Sequence, residues 1–242
     1  MTFRFLFAYD AFTLAAPAGT VDSMTLTLAP PVAVASPSAV ASPNSTQRPP
    51  LQPWVLPPRT LSVFYGAPRM PRLSHYFLPR ILSQGERVLF LGGANQIDPL
   101  LIARFARERG EAASSFNRLI RVSRAFTCFQ LTELIARSPR FLEKFPAAVV
   151  IVTALPDLYF DEDVRDPQAL ASYDRALEAL AHLASKSVSV AVFSDAANFP
   201  TLRKEFFPRL LAQAGRVLRV EMKPGGKLTF ICEKAAAAPL PR

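Results

Sequence analysis

"VLFLGGANQIDPLLIARFARERG", residues 88–110, decides how this chain is read. Val88, Leu89, Phe90 and Leu91 run without a polar break into Gly92 and Gly93. After a short turn the apolar residues return as Leu101, Ile102, Phe105 and Ala106. An unbroken apolar run marks a strand buried on both faces, and the second spacing marks an amphipathic helix. Asp98 stands at the N-cap, Pro99 at the first helical position and Gly110 just past the end. Strand, glycine turn and helix form the layout of a phosphate-binding loop, G-x-x-x-x-G-K-[ST], whose lysine meets phosphate and whose hydroxyl meets magnesium. Counted from Gly92, the lysine position holds Asp98 and the hydroxyl position Pro99.

Those two residues fill the place they should leave open. A helix N-terminus binds phosphate through free N–H groups and the positive end of its dipole. Asp98 can satisfy those donors with its own carboxylate, and a phosphate would meet its charge. Pro99 removes both the hydroxyl and an N–H. Gly92 and Gly93 then have a structural reason, a tight turn between strand and helix. The chain is therefore expected neither to hydrolyse ATP nor to bind it tightly.

Working outward, "LIRVSRAF" (119–126) reads as a short strand and "CFQLTELIAR" (128–137) as a helix. "AAVVIVTAL" (147–155) is a buried strand, 166–186 a long helix, and "SVSVAVFSDA" (187–196) another buried strand. "RVLRVEMKPGGKLTFICEK" (216–234) is two alternating strands around a Pro-Gly-Gly turn. Buried strands separated by helices imply an α/β fold: a mainly parallel sheet flanked by helices, with a C-terminal antiparallel hairpin.

This order resembles the RecA/RadA-type recombinase core, the RecA-like P-loop NTPase fold, over roughly residues 60–234. Three segments carry the likeness: "VLFLGGANQIDPLLIARF", "IRVSRAFTCFQLTELI" and "AAVVIVTALPDLYFDED". In the family, the last of these ends in a magnesium-associated aspartate and runs into a first DNA-binding loop. That aspartate's place is taken by Thr153. The family's second strand, bearing the glutamate that activates water, has little room in "GEAASSFNRL". The resemblance implies a RecA-like three-layer domain over 61–236 whose nucleotide loop, marked by Gly92, Gly93, Asp98, Pro99 and Thr153, is vestigial. It implies no catalytic residue, no cofactor and no metal. The function implied is that of an accessory protein in DNA recombination or repair, binding DNA, a partner recombinase or both.

Other features bound the partners. A net charge of +9 favours an anionic partner such as DNA, and a basic solvated face is the plainer alternative. "NFPTLRKEFFPRLLAQAGR" (198–216) lies where the family has its second DNA-binding loop. Phe199, Arg203, Lys204 and Arg209 suit backbone neutralisation with base stacking. An amphipathic helix with solvated cations explains the stretch equally well, and Phe206 and Phe207 read as core. Residues 67–80 contain Arg69, Arg72 and Arg80 and resemble the linker whose aromatic packs on a neighbouring subunit, with Tyr76 or Phe77 as its counterpart.

Cys128 and Cys232 are expected to be buried thiols, and two histidines, His75 and His182, do not make a zinc site. "PDLYFDEDVRD" (156–166) reads as a solvated acidic loop, and Ser194-Asp195 lacks a nearby histidine for nucleophilic chemistry. Residues 1–60 hold ten of the 23 prolines and five charged residues. They read as a disordered Pro/Ala/Ser-rich tail, and 237–242 as a short disordered end. Asp10 breaks the apolar start of the chain, which argues against an export signal, and Met24 or Met70 is an equal candidate for the true start. A cytoplasmic protein without a membrane span is expected. Two alternatives stand beside the accessory role. One is a partner-binding scaffold unrelated to DNA. The other is a Rossmann-like methyltransferase, for which the loop lacks a glycine and the next strand an acidic end.

Overall fold

The computed structural model describes residues 12–15, 23–28, 54–93, 97–186, 188–224 and 226–235. Among these residues nine strands form one sheet: β1 (Phe12–Ala15), β2 (Ser23–Leu28), β3 (Leu61–Tyr65), β4 (Val88–Gly93), β5 (Ile120–Ala125), β6 (Val149–Thr153), β7 (Ser189–Ser194), β8 (Arg216–Met222) and β9 (Leu228–Lys234). Their order is β1-β2-β9-β8-β3-β7-β6-β4-β5. From β8 through β5 every neighbouring pair is parallel. The β8–β9 hairpin is antiparallel, as its alternating sequence predicts.

The apolar strands are continuous because each serves two cores at once. In β4, Leu89 and Leu91 enter one core while Val88 and Phe90 enter the other. Val150 and Val152 of β6 alternate with Val149 and Ile151 in the same way. A fully buried side chain of this size stabilises by roughly 1.5–3 kcal/mol, so both cores are substantial. One is covered by α1 (Met70–Leu73), α2 (Leu78–Ser83), α3 (Pro99–Glu108) and α4 (Ala113–Leu119). The other is covered by α5 (Cys128–Lys144), α6 (Asp166–Ser185) and α7 (Phe206–Gln213).

Several expectations change. The helix expected to end at Arg137 continues to Lys144 through Pro139. Phe141 and Leu142 pack on the core there, which outweighs the one hydrogen bond a helical proline forfeits. Within the stretch expected to be a tail, β1 and β2 are strands, and β2 pairs with β9. Trp54 packs against Phe77 and Phe230, with ring centroids 5.1 Å apart in each case. The remainder of residues 1–53, and the end from 236 to 242, lie outside the described residues. "GEAASSFNRL" contains the helix α4, not a strand. Among the described residues no helix is long and apolar enough to cross a membrane.

Candidate functional site

In open α/β sheets, ligands sit beyond the carboxyl ends of the strands, where neighbouring strands send their helices to opposite faces. Two such places lie in the middle of this sheet. The helices after β3 and β4 cover one face, and those after β6 and β7 cover the other. The crevices therefore fall between β3 and β7 and between β4 and β6.

The β4–β6 crevice belongs to the glycine turn. Asp98 is the N-cap of α3, and its Oδ1 accepts from the Leu101 N–H at 3.0 Å. The Asp98 N–H donates to Nε2 of His75 at 2.9 Å, while Nδ1 of that ring lies 3.2 Å from the Arg72 carbonyl. His75 is thereby held as a neutral donor–acceptor relay, and burial lowers its pKa. Arg72 faces the other Asp98 oxygen at 3.7 Å. On the β6 side, the Gly93 N–H donates to Thr153 Oγ1 at 3.1 Å. A Cβ on Gly93 would lie 2.7 Å from both the Ala154 Cβ and the Thr153 carbonyl oxygen. Gly93 is needed for close backbone approach, because β4 and β6 meet there without room for a side chain. Thr153, standing where the family's aspartate is implied, is a fully buried hydrogen-bond acceptor of the turn.

A second strand–turn–helix, which the sequence marks only faintly, lies at the β3–β7 crevice. From Gly66 at the end of β3, the chain reads Gly66-Ala67-Pro68-Arg69-Met70-Pro71-Arg72-Leu73 and enters α1. This is also the eight-residue spacing of a phosphate-binding loop, with Pro71 for the second glycine, Arg72 for the lysine and Leu73 for the hydroxyl. Gly66 has φ +111°, and a Cβ there would lie 2.7 Å from the Val220 carbonyl oxygen. Here too a carboxylate of the protein occupies the helix start: Asp195 Oδ1 accepts from the Met70 N–H at 2.8 Å.

Asp195 is itself braced. Its N–H donates to Asp157 Oδ1 at 2.8 Å, and Ser194 Oγ donates to Asp157 Oδ2 at 2.9 Å. Burial pushes the Asp157 carboxyl up to about 6 and also raises that of Asp195. One acid of the supposedly solvated loop is thus a partly buried strut, and Ser194 is its hydrogen-bond partner.

The proposed DNA residues separate into two groups. Phe199 is 53% exposed and Lys204 is exposed, so both remain available. Arg203 is not: its side chain is 9% exposed. Its Nη1 donates to the carbonyls of Tyr159 at 2.5 Å and Asp161 at 2.8 Å, its Nη2 to that of Val164, and its Nε to Asp166 at 2.8 Å. Arg203 clamps the loop between β6 and α6, which corrects its assignment to DNA. Arg209 pairs with Asp174 on α6 and lies over the Tyr173 ring. Phe206 is buried and stacked on Tyr173 at 4.6 Å, in keeping with its reading as core. Phe77 is also buried, and Tyr76 packs on Phe105, so neither is presented as a free anchor.

What the sequence did not suggest is an apolar rim. Leu100 follows the carboxyl end of β4, Phe126 and Phe129 follow that of β5, and Phe199 and Leu202 follow that of β7; all five are exposed. Arg118, Arg121 and Arg124 are exposed on and before the edge strand β5. Among the described residues no cluster of His, Cys, Asp and Glu could hold a metal ion. The fold and these closed crevices define an α/β protein with a mostly parallel sheet, whose two central ligand corners are capped from within. No protein-family model matches the chain, and no curated protein matches it.

Proposed function

We propose that this chain is a non-catalytic RecA-like accessory protein in DNA recombination or repair, acting by binding and not by ATP turnover. The observation that carries this reading is the Asp195 carboxylate on the Met70 N–H, where a phosphate would otherwise bind. With the loop assigned to β3, the resemblance improves along its whole length. β4 then takes the place of the second strand, which needs a glutamate to activate water and ends here in Gly92 and Gly93. β5 carries the Arg-Ala-Phe end, α5 the glutamine and leucines, and β6 ends in Thr153. The order of elements is kept while each catalytic position is replaced. Asp98 then serves as the cap of the following helix, α3, and Gly93 serves the contact with β6.

Binding falls to the carboxyl rim. Five exposed apolar side chains there suit a protein partner such as a recombinase, since isolated surface apolar residues need no explanation but a shared rim does. The loop after β7 supplies Phe199 for stacking and Lys204 for phosphate. Fluorescence anisotropy with a labelled single strand over a salt series tests the DNA contact. Binding should weaken linearly in log K against log salt, and Phe199→Ala should cost about 1–3 kcal/mol with little change of slope. Lack of binding at low salt removes DNA from the proposal. The rim then favours the scaffold reading, which co-purification after nuclease treatment addresses directly.

A further inference from the structure

A cleft of about 490 Å³ opens beside the β3–α1 corner, between the start of α1, one side of α3 and the tip of the β8–β9 hairpin. Leu73, Tyr76, Leu101, Phe105, Met222 and Leu228 make its wall largely apolar. Arg69, Arg72 and Arg104 also line it, with Glu108 as the accompanying carboxylate, which leaves an excess of two positive charges. Glu108 pairs with Arg104 at 2.6 Å, and Arg72 reaches Asp98 only at 3.7 Å. Among the described residues no carboxylate pairs with Arg69.

Arg69 has a second distinction. Its backbone is left-handed, at φ 62° and ψ 39°, a conformation that costs a non-glycine residue free energy. The Asp195 contact to the next N–H holds it there. Such strain concentrates at ligand clamps, and here it sits on a cation at the mouth of a cleft. A concave, mainly apolar volume with a few convergent polar groups is the usual form of a small-molecule site, and this volume suits a drug-sized ligand. Guanidinium forks match a carboxylate or a similar oxyanion in two-point contact. A polyphosphate is a poorer match. It carries more charge than the cleft offsets.

We propose that this cleft binds a small amphipathic anion: a single acidic head held by Arg69 and Arg72, and an apolar body lying against Tyr76 and Phe105. The proposal goes beyond the accessory function and does not depend on it.

Anilinonaphthalene sulfonate is a fluorescent probe of this class, and dodecanoate and dodecanol are matched competitors with and without charge. The folded protein should bind the probe at one saturable site. Dodecanoate should displace it, and dodecanol at the same concentration should not. The double variant Arg69→Gly/Arg72→Gln should bind at least about tenfold more weakly, the loss of charge-assisted contacts. Glycine suits the left-handed backbone at 69, and an unchanged near-UV circular dichroism spectrum verifies the fold. If that variant unfolds, Leu101→Glu, which puts a carboxylate in the cleft wall, should abolish binding in its place. Unsaturable binding, equal displacement by dodecanol, unchanged affinity in the folded variant, or stronger displacement by Mg-ATP than by dodecanoate would each overturn the proposal.

Discussion

The corner after β3 and the corner after β4 reach the same closed state by different routes. At β4 the carboxylate is local: Asp98 caps a donor three residues ahead of it. At β3 it is distant: Asp195 reaches Met70 across 125 residues of sequence. The first closure depends on one short segment. The second depends on the register of two parallel strands, in which Tyr65 faces Ser194, and on the Asp157 strut behind them. A closure assembled from three separate segments is coupled to the stability of the whole sheet, whereas a local cap is worth little more than its own hydrogen bond.

The largest effect should come from breaking the β3 corner at its glycine. Gly66→Val would force a β-branched residue to φ +111° and bring its Cβ to 2.7 Å from the Val220 carbonyl. Backbone strain and overpacking together should cost about 4–5 kcal/mol, measured by urea unfolding. A variant within 1 kcal/mol of the wild type, by the same measure, would mean that the corner is loose.

Arg203 should follow. Arg203→Ala removes the clamp on three carbonyls of the loop that carries Asp157, at a cost of about 3–4 kcal/mol. Lys204→Ala, one residue on and exposed, should change stability by less than about 0.5 kcal/mol. DNA affinity should respond in the opposite sense, to Lys204 and not to Arg203. If Arg203→Ala leaves thermal unfolding unchanged and flattens the salt dependence of DNA binding, the clamp assignment is wrong.

This pair also marks what could be seen from the sequence and what could not. The strands β4, β6 and β7 were legible because burial on both faces leaves continuous apolar runs, and α3 was legible because Asp98, Pro99 and Gly110 punctuate it. Arg203 is not legible as a clamp, because a cation among phenylalanines looks the same on a surface as under a loop; only the fold brings the Tyr159, Asp161 and Val164 carbonyls to it. The Gly66 spacing was in the sequence. It is faint there, because Pro71 stands in its second glycine place and α1 is four residues long, too short to show a helical period.

Asp157 distinguishes the two corners by pH. Its carboxyl is raised from 3.8 to about 6 by burial, so the folded chain keeps a proton that the unfolded chain releases. The stability tied to that proton is fully present below pH 3.8 and is lost as pH rises through about 6. The gap corresponds to roughly 2–3 kcal/mol. Asp157→Asn keeps an acceptor for the Asp195 N–H and removes the titration. The variant should therefore gain on the wild type by that amount between pH 4 and pH 7. Parallel stability curves across this range would show that Asp157 is solvated like its loop neighbours.

The smallest effect should lie at the β4 corner. Asp98→Ala removes an N-cap whose acceptor serves the Leu101 N–H, and caps of this kind are worth about 1 kcal/mol. Part of the helix start would still be held, because the Asp98 backbone N–H donates to His75 whatever the side chain. Loss of the carboxylate also leaves Arg72 without its 3.7 Å partner and puts a freed cation beside a helix N-terminus. If a missing lysine and hydroxyl were all that kept phosphate away, that change would favour an anion. The Gly93 contact to Thr153 and Ala154 predicts otherwise, since a Cβ already finds no room there and a phosphate group is larger. Calorimetry of Asp98→Ala with Mg-ATP should thus give no binding heat alongside a loss of about 1 kcal/mol in stability. Micromolar binding by this variant would mean that Asp98 alone had closed the corner, and that the packing behind Gly93 yields to a ligand.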